Sequence, residues 1–115
     1  MLACLKQLTD HSADPVQLAG SWHKIALADI LETLTSIVTD GIRLSMGLPV
    51  ALLANRDIIA FLKQLTETMP TLKLFNYLDE LYQWRRRVNN STGLNPQLVV
   101  EGLFCKWNEY ARRNG

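Results

Sequence analysis

Net charge is the first thing this sequence lacks: twelve Lys and Arg stand against eleven Asp and Glu, leaving a formal +1. Without an excess of one sign there is no global field to gather phosphates or anionic lipid, so nucleic acid is not the obvious partner. Cysteine is scarce as well. Cys4 and Cys105 are the only two; they lie near opposite ends in no ligand-type spacing, each in an apolar stretch where a free thiol behaves as a small hydrophobe. Reduced thiols and a cytoplasmic location are expected. Long apolar runs are also missing: the strongest, Leu44 to Ala54, falls far short of a bilayer span and is broken by Gly47 and Pro49. No membrane passage is expected. The start has neither the basic residues nor the long apolar run of a secretory signal, and an amphipathic pattern sets in directly after Met1, which points to a piece of a longer protein.

Motifs that carry chemistry are absent in the same way. A phosphate-binding loop needs glycines between a strand and a helix with a lysine reaching the phosphates, and the six glycines occur singly with no such neighbour. His11 and His23 share no helical face with either cysteine, so they read as structural or surface residues rather than metal ligands. Cys105 has no histidine near it in sequence and reads as a buried small apolar residue rather than a nucleophile. Asp79 and Glu80 are adjacent, which on a helix points them about 100° apart, so they form a solvated face rather than a catalytic pair. No catalytic residue, cofactor or metal ligand is expected, and the domain is expected not to be an enzyme.

What is present is a helical pattern on a chain of 115 residues, 48% of them hydrophobic, enough for one domain with its own core. Asp14 can cap a helix with Pro15 at its first position, and Leu18, Trp22 and Ile25 then share a face. Leu27, Ile30, Leu31, Leu34, Val38, Gly41 and Ile42 recur at three and four, opposite Asp29, Glu32, Ser36, Asp40 and Arg43. That predicts a central helix of about five turns, stopped by Gly47 and Pro49. After a loop, Asn55 is expected to cap a shorter helix with Ile58, Phe61, Leu62 and Leu65 inward. From Pro70 to about Asn90 a long helix carries Leu74, Leu78, Leu81 and Val88, its end signalled by Ser91, Thr92 and Gly93. Asn95 and Pro96 open the last helix, with Val100, Leu103, Phe104, Trp107 and Tyr110 on one stripe and Arg112 and Arg113 placed to complement its dipole. No alternating period-two stretch of useful length occurs. The expected fold is all-α, a compact bundle of five to six helices over 1–115.

Two features could meet a partner. Trp84, Arg85, Arg86 and Arg87 concentrate charge beside an aromatic ring; the plainer reading is a wet helix end suited to the dipole, and an exposed Trp84 would favour a protein interface. Trp107 and Tyr110 could serve as docking residues, although aromatics at helical spacing usually belong to a core. Trp84, Arg85, Arg86, Trp107 and Tyr110 are the candidate contact residues.

The segment STGLNPQLVVEGLFCKW resembles the stretch opening the final helix in collar domains of bacterial clamp-loader subunits, through Asn95, Pro96, Leu98 and Glu101. Its opening, Thr92-Gly93-Leu94-Asn95, is closest to the delta-prime subunit of DNA polymerase III. DPVQLAGSWHKIALADILETLTSIVTDGIRLSMG and ANRDIIAFLKQLTETMPTLKLFNYLDELYQWRRRVNN resemble the other collar helices of that protein, so the likeness covers nearly the whole chain. The resemblance implies a C-terminal collar, or oligomerisation, domain preceded in the intact subunit by two N-terminal AAA-plus domains. It implies partners in delta and gamma or tau, in a ring that loads the beta sliding clamp onto primed DNA, with DNA met only through the assembled complex. It carries no catalytic or nucleotide-binding residue onto any position here. The rival expectation is a helical DNA-binding domain using Arg85 to Arg87 and a helix-turn-helix at Ser91 to Asn95. Against it, Gln97, Leu98, Val99 and Val100 are mostly apolar where such a motif meets base edges.

Overall fold

The computed structural model describes residues 2–90 and 93–111. In chain order these form α1 (Leu2–Asp10), α2 (Pro15–Gly20), α3 (Leu27–Ser45), two 3-10 turns at Val50–Leu52 and Arg56–Ile58, α4 (Ile59–Thr68), α5 (Thr71–Asn90) and α6 (Pro96–Tyr110). No strand occurs among the described residues, and the six α-helices match the expected all-α bundle. Ser91, Thr92, Arg112 and Arg113, read from sequence as a helix stop and as dipole partners, lie outside the described residues.

Capping chemistry sets two of the helix starts. The Asp14 carboxylate accepts the Val16 N–H at 2.9 Å with Pro15 in the first turn, and the Asn95 side-chain oxygen accepts the Gln97 and Leu98 N–H groups ahead of α6. Each bond satisfies a backbone donor that a helix start leaves free. Two helix ends close with a left-handed residue. Gly47 takes φ +87° after α3, where the Leu48 N–H reaches back to the Arg43 carbonyl at 3.0 Å. His11 takes φ +60° after α1, with the Ser12 N–H on the Gln7 carbonyl at 3.0 Å. Both bonds span six residues, the backward reach that satisfies terminal carbonyls.

The central helix is α3, as the sequence pattern predicts. Ile30, Leu31, Leu34, Ile37, Val38 and Ile42 are buried along its 19 residues, and it packs on both α4 and α5. Gly41 makes the triple contact possible. A methyl group there would sit 3.3 Å from Leu65 Cδ2 and 3.7 Å from Leu74 Cδ1, so its absence lets all three helices close in. The other half of the bundle is α6, which packs on α2, α1 and α5. Its buried face is Val99, Val100, Leu103, Phe104 and Trp107. The Trp107 indole N–H donates to Thr9 Oγ1 at 3.0 Å, Thr9 in turn donates to the Leu5 carbonyl at 2.7 Å, and the Asn108 side-chain amide donates to the Leu8 carbonyl at 3.1 Å. Tyr77 ties the halves together. Its hydroxyl donates to the Leu103 carbonyl at 2.8 Å and its ring meets Trp107 edge-on at 5.4 Å.

Three local expectations are corrected. The helix opened by Asp14 ends at Gly20, so Trp22 and Ile25 lie in the turns that follow rather than on its face. Gly20 and Ser21 are weak helix formers, the Ser21 hydroxyl bonds back to the Leu18 carbonyl at 2.6 Å, and Trp22 turns inward to meet Phe104 edge-on at 4.7 Å. Asp40, assigned to the polar side of α3, is fully buried. Asn55 caps no helix, because Asp40 has taken its side chain.

A candidate protein-interaction surface

Of the five candidate contact residues, Trp107 is corrected outright. It is 0% exposed, enclosed by Tyr77 and Thr9, and can touch no partner while the fold is intact. Tyr110, one turn on, is half-buried, with the ammonium groups of Lys73 and Lys106 at 4.8 and 5.6 Å from its ring centre. Trp84 is half-buried against the core, and the Arg87 guanidinium lies 4.8 Å over its ring. Arg85, Arg86 and Arg87 are exposed. Arg86 and Arg87 line a shallow depression with Gln83 and Asn90, whereas Arg85 faces a separate groove beside Glu32 and Val88. Among the described residues the ion pair is Arg43–Asp40, so no carboxylate neutralises this arginine run at contact distance.

The structure adds a surface that the sequence pattern alone does not single out. Leu72 is 70% exposed and Phe75 46%, with Tyr82 close behind on the same helix. Leu72, Phe75, Asp79, Tyr82 and Arg86 follow one another at three, four, three and four residues, the spacing of a single helical face. That face points away from the buried Leu74, Tyr77 and Leu81. A second stripe at the same period is therefore visible in the sequence, but the charged residues between its members make it read as solvated.

More apolar side chains lie beyond the end of α3. Met46, Leu48, Val50 and Leu52 are all exposed in the segment 46–53. The Thr71 hydroxyl donates to Ser45 Oγ at 3.2 Å, which sets the start of α5 against the end of α3. The segment is held by Asp40. One carboxylate oxygen accepts the Ala54 N–H at 3.1 Å and the Arg43 guanidinium at 3.2 Å; the other accepts the Asn55 N–H at 2.6 Å and the Asn55 side-chain amide at 2.7 Å. Asn55 also donates to Ser36 Oγ at 2.9 Å. Burial alone would raise the Asp40 pKa, but the hydrogen bonds from Asn55, Ala54 and Arg43 together outweigh it and hold the carboxyl below its usual value. The loop's return is thus anchored, and its exposed apolar side chains are presented from a loop with less freedom to lose on contact.

The two cysteines take different positions. Cys105 is exposed rather than buried as expected, since it falls on the outer side of α6 between the buried Phe104 and Trp107 turns. Partial desolvation, with Asp14 and Glu101 nearby, pushes its thiol pKa up, which disfavours a reactive thiolate. Cys4 is half-buried and accepts the Trp22 indole N–H at 3.1 Å. Among the described residues no three His, Cys, Asp or Glu side chains converge as metal ligands, and no helix is long and apolar enough to cross a membrane.

A surface of aromatic and aliphatic side chains with arginines at one end is suited to holding another protein. Comparison with known families points the same way. The family model described as DNA polymerase III, delta subunit, C terminal matches residues 1–109. No curated protein and no solved structure matches the chain.

Proposed function

The chain belongs to the family of C-terminal domains of the DNA polymerase III delta subunit, a clamp-loader family, and from that premise we propose that it is the collar domain of delta-prime. In this reading it oligomerises with gamma or tau and delta through their collar domains, in the cytoplasm, within the ring that loads the beta clamp onto primed DNA. It belongs to a longer protein whose AAA-plus domains precede it, and it contributes assembly rather than catalysis to the polymerase holoenzyme. The delta-prime assignment rests on the resemblance over nearly the whole chain, and within it on Thr92-Gly93-Leu94-Asn95, which opens the last matching segment. The observation that carries the assembly reading is the exposed apolar face of α5 beside the anchored 46–53 segment. Among the described residues the core closes without Leu72 and Phe75, which stand outside it.

Mixing provides the test. The full-length protein should co-elute in stoichiometric amounts with gamma and delta, and deletion of residues 1–115 from it should abolish the complex. Retained assembly after the deletion would sink the proposal.

The rival reading, a DNA-binding helix-turn-helix, draws on the three exposed arginines but meets an obstacle in α6. Val99 and Val100 are buried, the exposed residues of that first turn, Pro96 and Leu98, are apolar, and Gln97 is half-buried, while the Asn95 side-chain oxygen is taken up by the cap, which is a poor set for reading base edges. Anisotropy titration with duplex and primed DNA at two salt concentrations separates the two readings, since phosphate-driven binding weakens steeply with salt.

A further inference from the structure

We propose that the outer face of α5 receives one amphipathic helix of a neighbouring clamp-loader protein, lying along α5, with acidic side chains beside Arg86 and Arg87. This rests on the collar reading and goes further by assigning the face, the shape of the occupant and its charge order.

Shape comes from spacing. Leu72, Phe75, Asp79, Tyr82 and Arg86 run at alternating intervals of three and four along the single helix α5, a stripe about 21 Å long at 1.5 Å per residue. Side chains in such a row fit between those of a second helix with the same repeat, whereas an extended strand repeats every two residues and falls out of step within one turn.

Charge supplies the direction. The Leu72 and Phe75 end of the stripe is apolar, and Lys73, next to Leu72 in the chain, has its ammonium over the ring of Tyr110. The other end carries Arg86 and Arg87, exposed, without a carboxylate at contact distance among the described residues. The Arg87 guanidinium lies 4.8 Å over the Trp84 ring, an arrangement that still lets a guanidinium offer N–H groups to oxygen. An occupant with carboxylates at one end and apolar residues at the other therefore has one favoured orientation. Asp79 stands mid-stripe and takes the Gln83 side-chain amide at 2.9 Å. Covered by a partner, that carboxylate needs a further donor, so the occupant carries a basic or amide side chain opposite it, and the match sets the register. Nucleic acid suits this face poorly, because phosphates gain nothing from Leu72, Phe75 or the Asp79 carboxylate.

The test uses the full-length protein assembled with gamma and delta. A photo-crosslinking phenylalanine derivative placed at Phe75 or at Tyr82 should label a single partner segment at positions three, four or seven residues apart. Arg86→Glu should weaken assembly about tenfold at low salt, with the deficit shrinking at high salt, while Arg86→Lys retains most of the binding. Arg86 is exposed, so an unchanged melting temperature of the variant shows that the loss is not unfolding. Assembly that proceeds normally while the crosslinks scatter over loops, fall on DNA or do not form overturns the inference and leaves the collar reading standing. Failure of the unsubstituted protein to join the complex overturns both.

Discussion

Two helices of this domain carry aromatic residues at helical spacing and use them in opposite ways. On α6, Phe104 and Trp107 are completely enclosed. On α5, Phe75 and Tyr82 are left nearly half exposed while Tyr77 between them is buried. The difference lies in the neighbours. α6 is covered by α1, α2 and α5, whereas α5 is covered by α3 and α6 on one side only. Spacing therefore reports that a face exists, and the packing partners decide whether it is interior or available.

The contrast is broken most severely at Trp107. Trp107→Ala removes the largest enclosed side chain and orphans its bond to Thr9; about 3–5 kcal/mol of stability should be lost, measured by urea unfolding, and a variant that stays within about 1 kcal/mol would contradict its place in the core.

Asp40 anchors the exposed segment from inside, so Asp40→Asn should cost about 1.5–3 kcal/mol by removing charge-assisted hydrogen bonds. The pH dependence follows from the depressed carboxyl. Its folded value lies below the usual 3.8, so its contribution is fully present above the unfolded value and is lost as pH falls through the folded one. Denaturant midpoints compared at about pH 6 and about pH 2.5 should show a smaller acid loss in Asp40→Asn than in the unsubstituted chain.

The smallest change in stability is expected on the outer face of α5. Phe75→Ser with Tyr82→Ser should move the unfolding midpoint by no more than about 0.5 kcal/mol per site, yet the doubly substituted protein should fail to co-elute with gamma and delta. Loss of stability equal to that of Trp107→Ala would place these rings in the core after all.

How far the fold could be read from the chain depends on whether a feature is local. Asp14-Pro15 and Asn95-Pro96 announce helix starts because a cap bonds to N–H groups two or three residues away. The 3.6 period of α3 shows equally well, since its buried residues lie on one continuous stripe. Asn55 looks like a cap by the same local rule, yet its oxygen makes no cap bond, because its amide nitrogen is held by a carboxylate fifteen positions earlier and by Ser36 Oγ, which fixes the side chain. Cys105 looks like core because its neighbours Phe104 and Trp107 are core, although one step along a helix turns a side chain by about 100°. The arginine run reads as charged from sequence and is exposed as such. Its continuity with Tyr82, Phe75 and Leu72 emerges only when α3 and α6 are seen to leave that side of α5 uncovered.

The order and period of the helices, two of their caps and the glycine stop after α3 are properties of short stretches, and the sequence by itself determines them through backbone hydrogen bonding and the 3.6-residue turn. Which stripe of α5 is buried, which aromatic rings are closed off, and that Asp40 points inward to hold a distant loop were decided by tertiary packing. Those outcomes depend on groups brought together from as far apart as Thr9 and Trp107, 98 residues distant along the chain, and local periodicity carries no record of such neighbours.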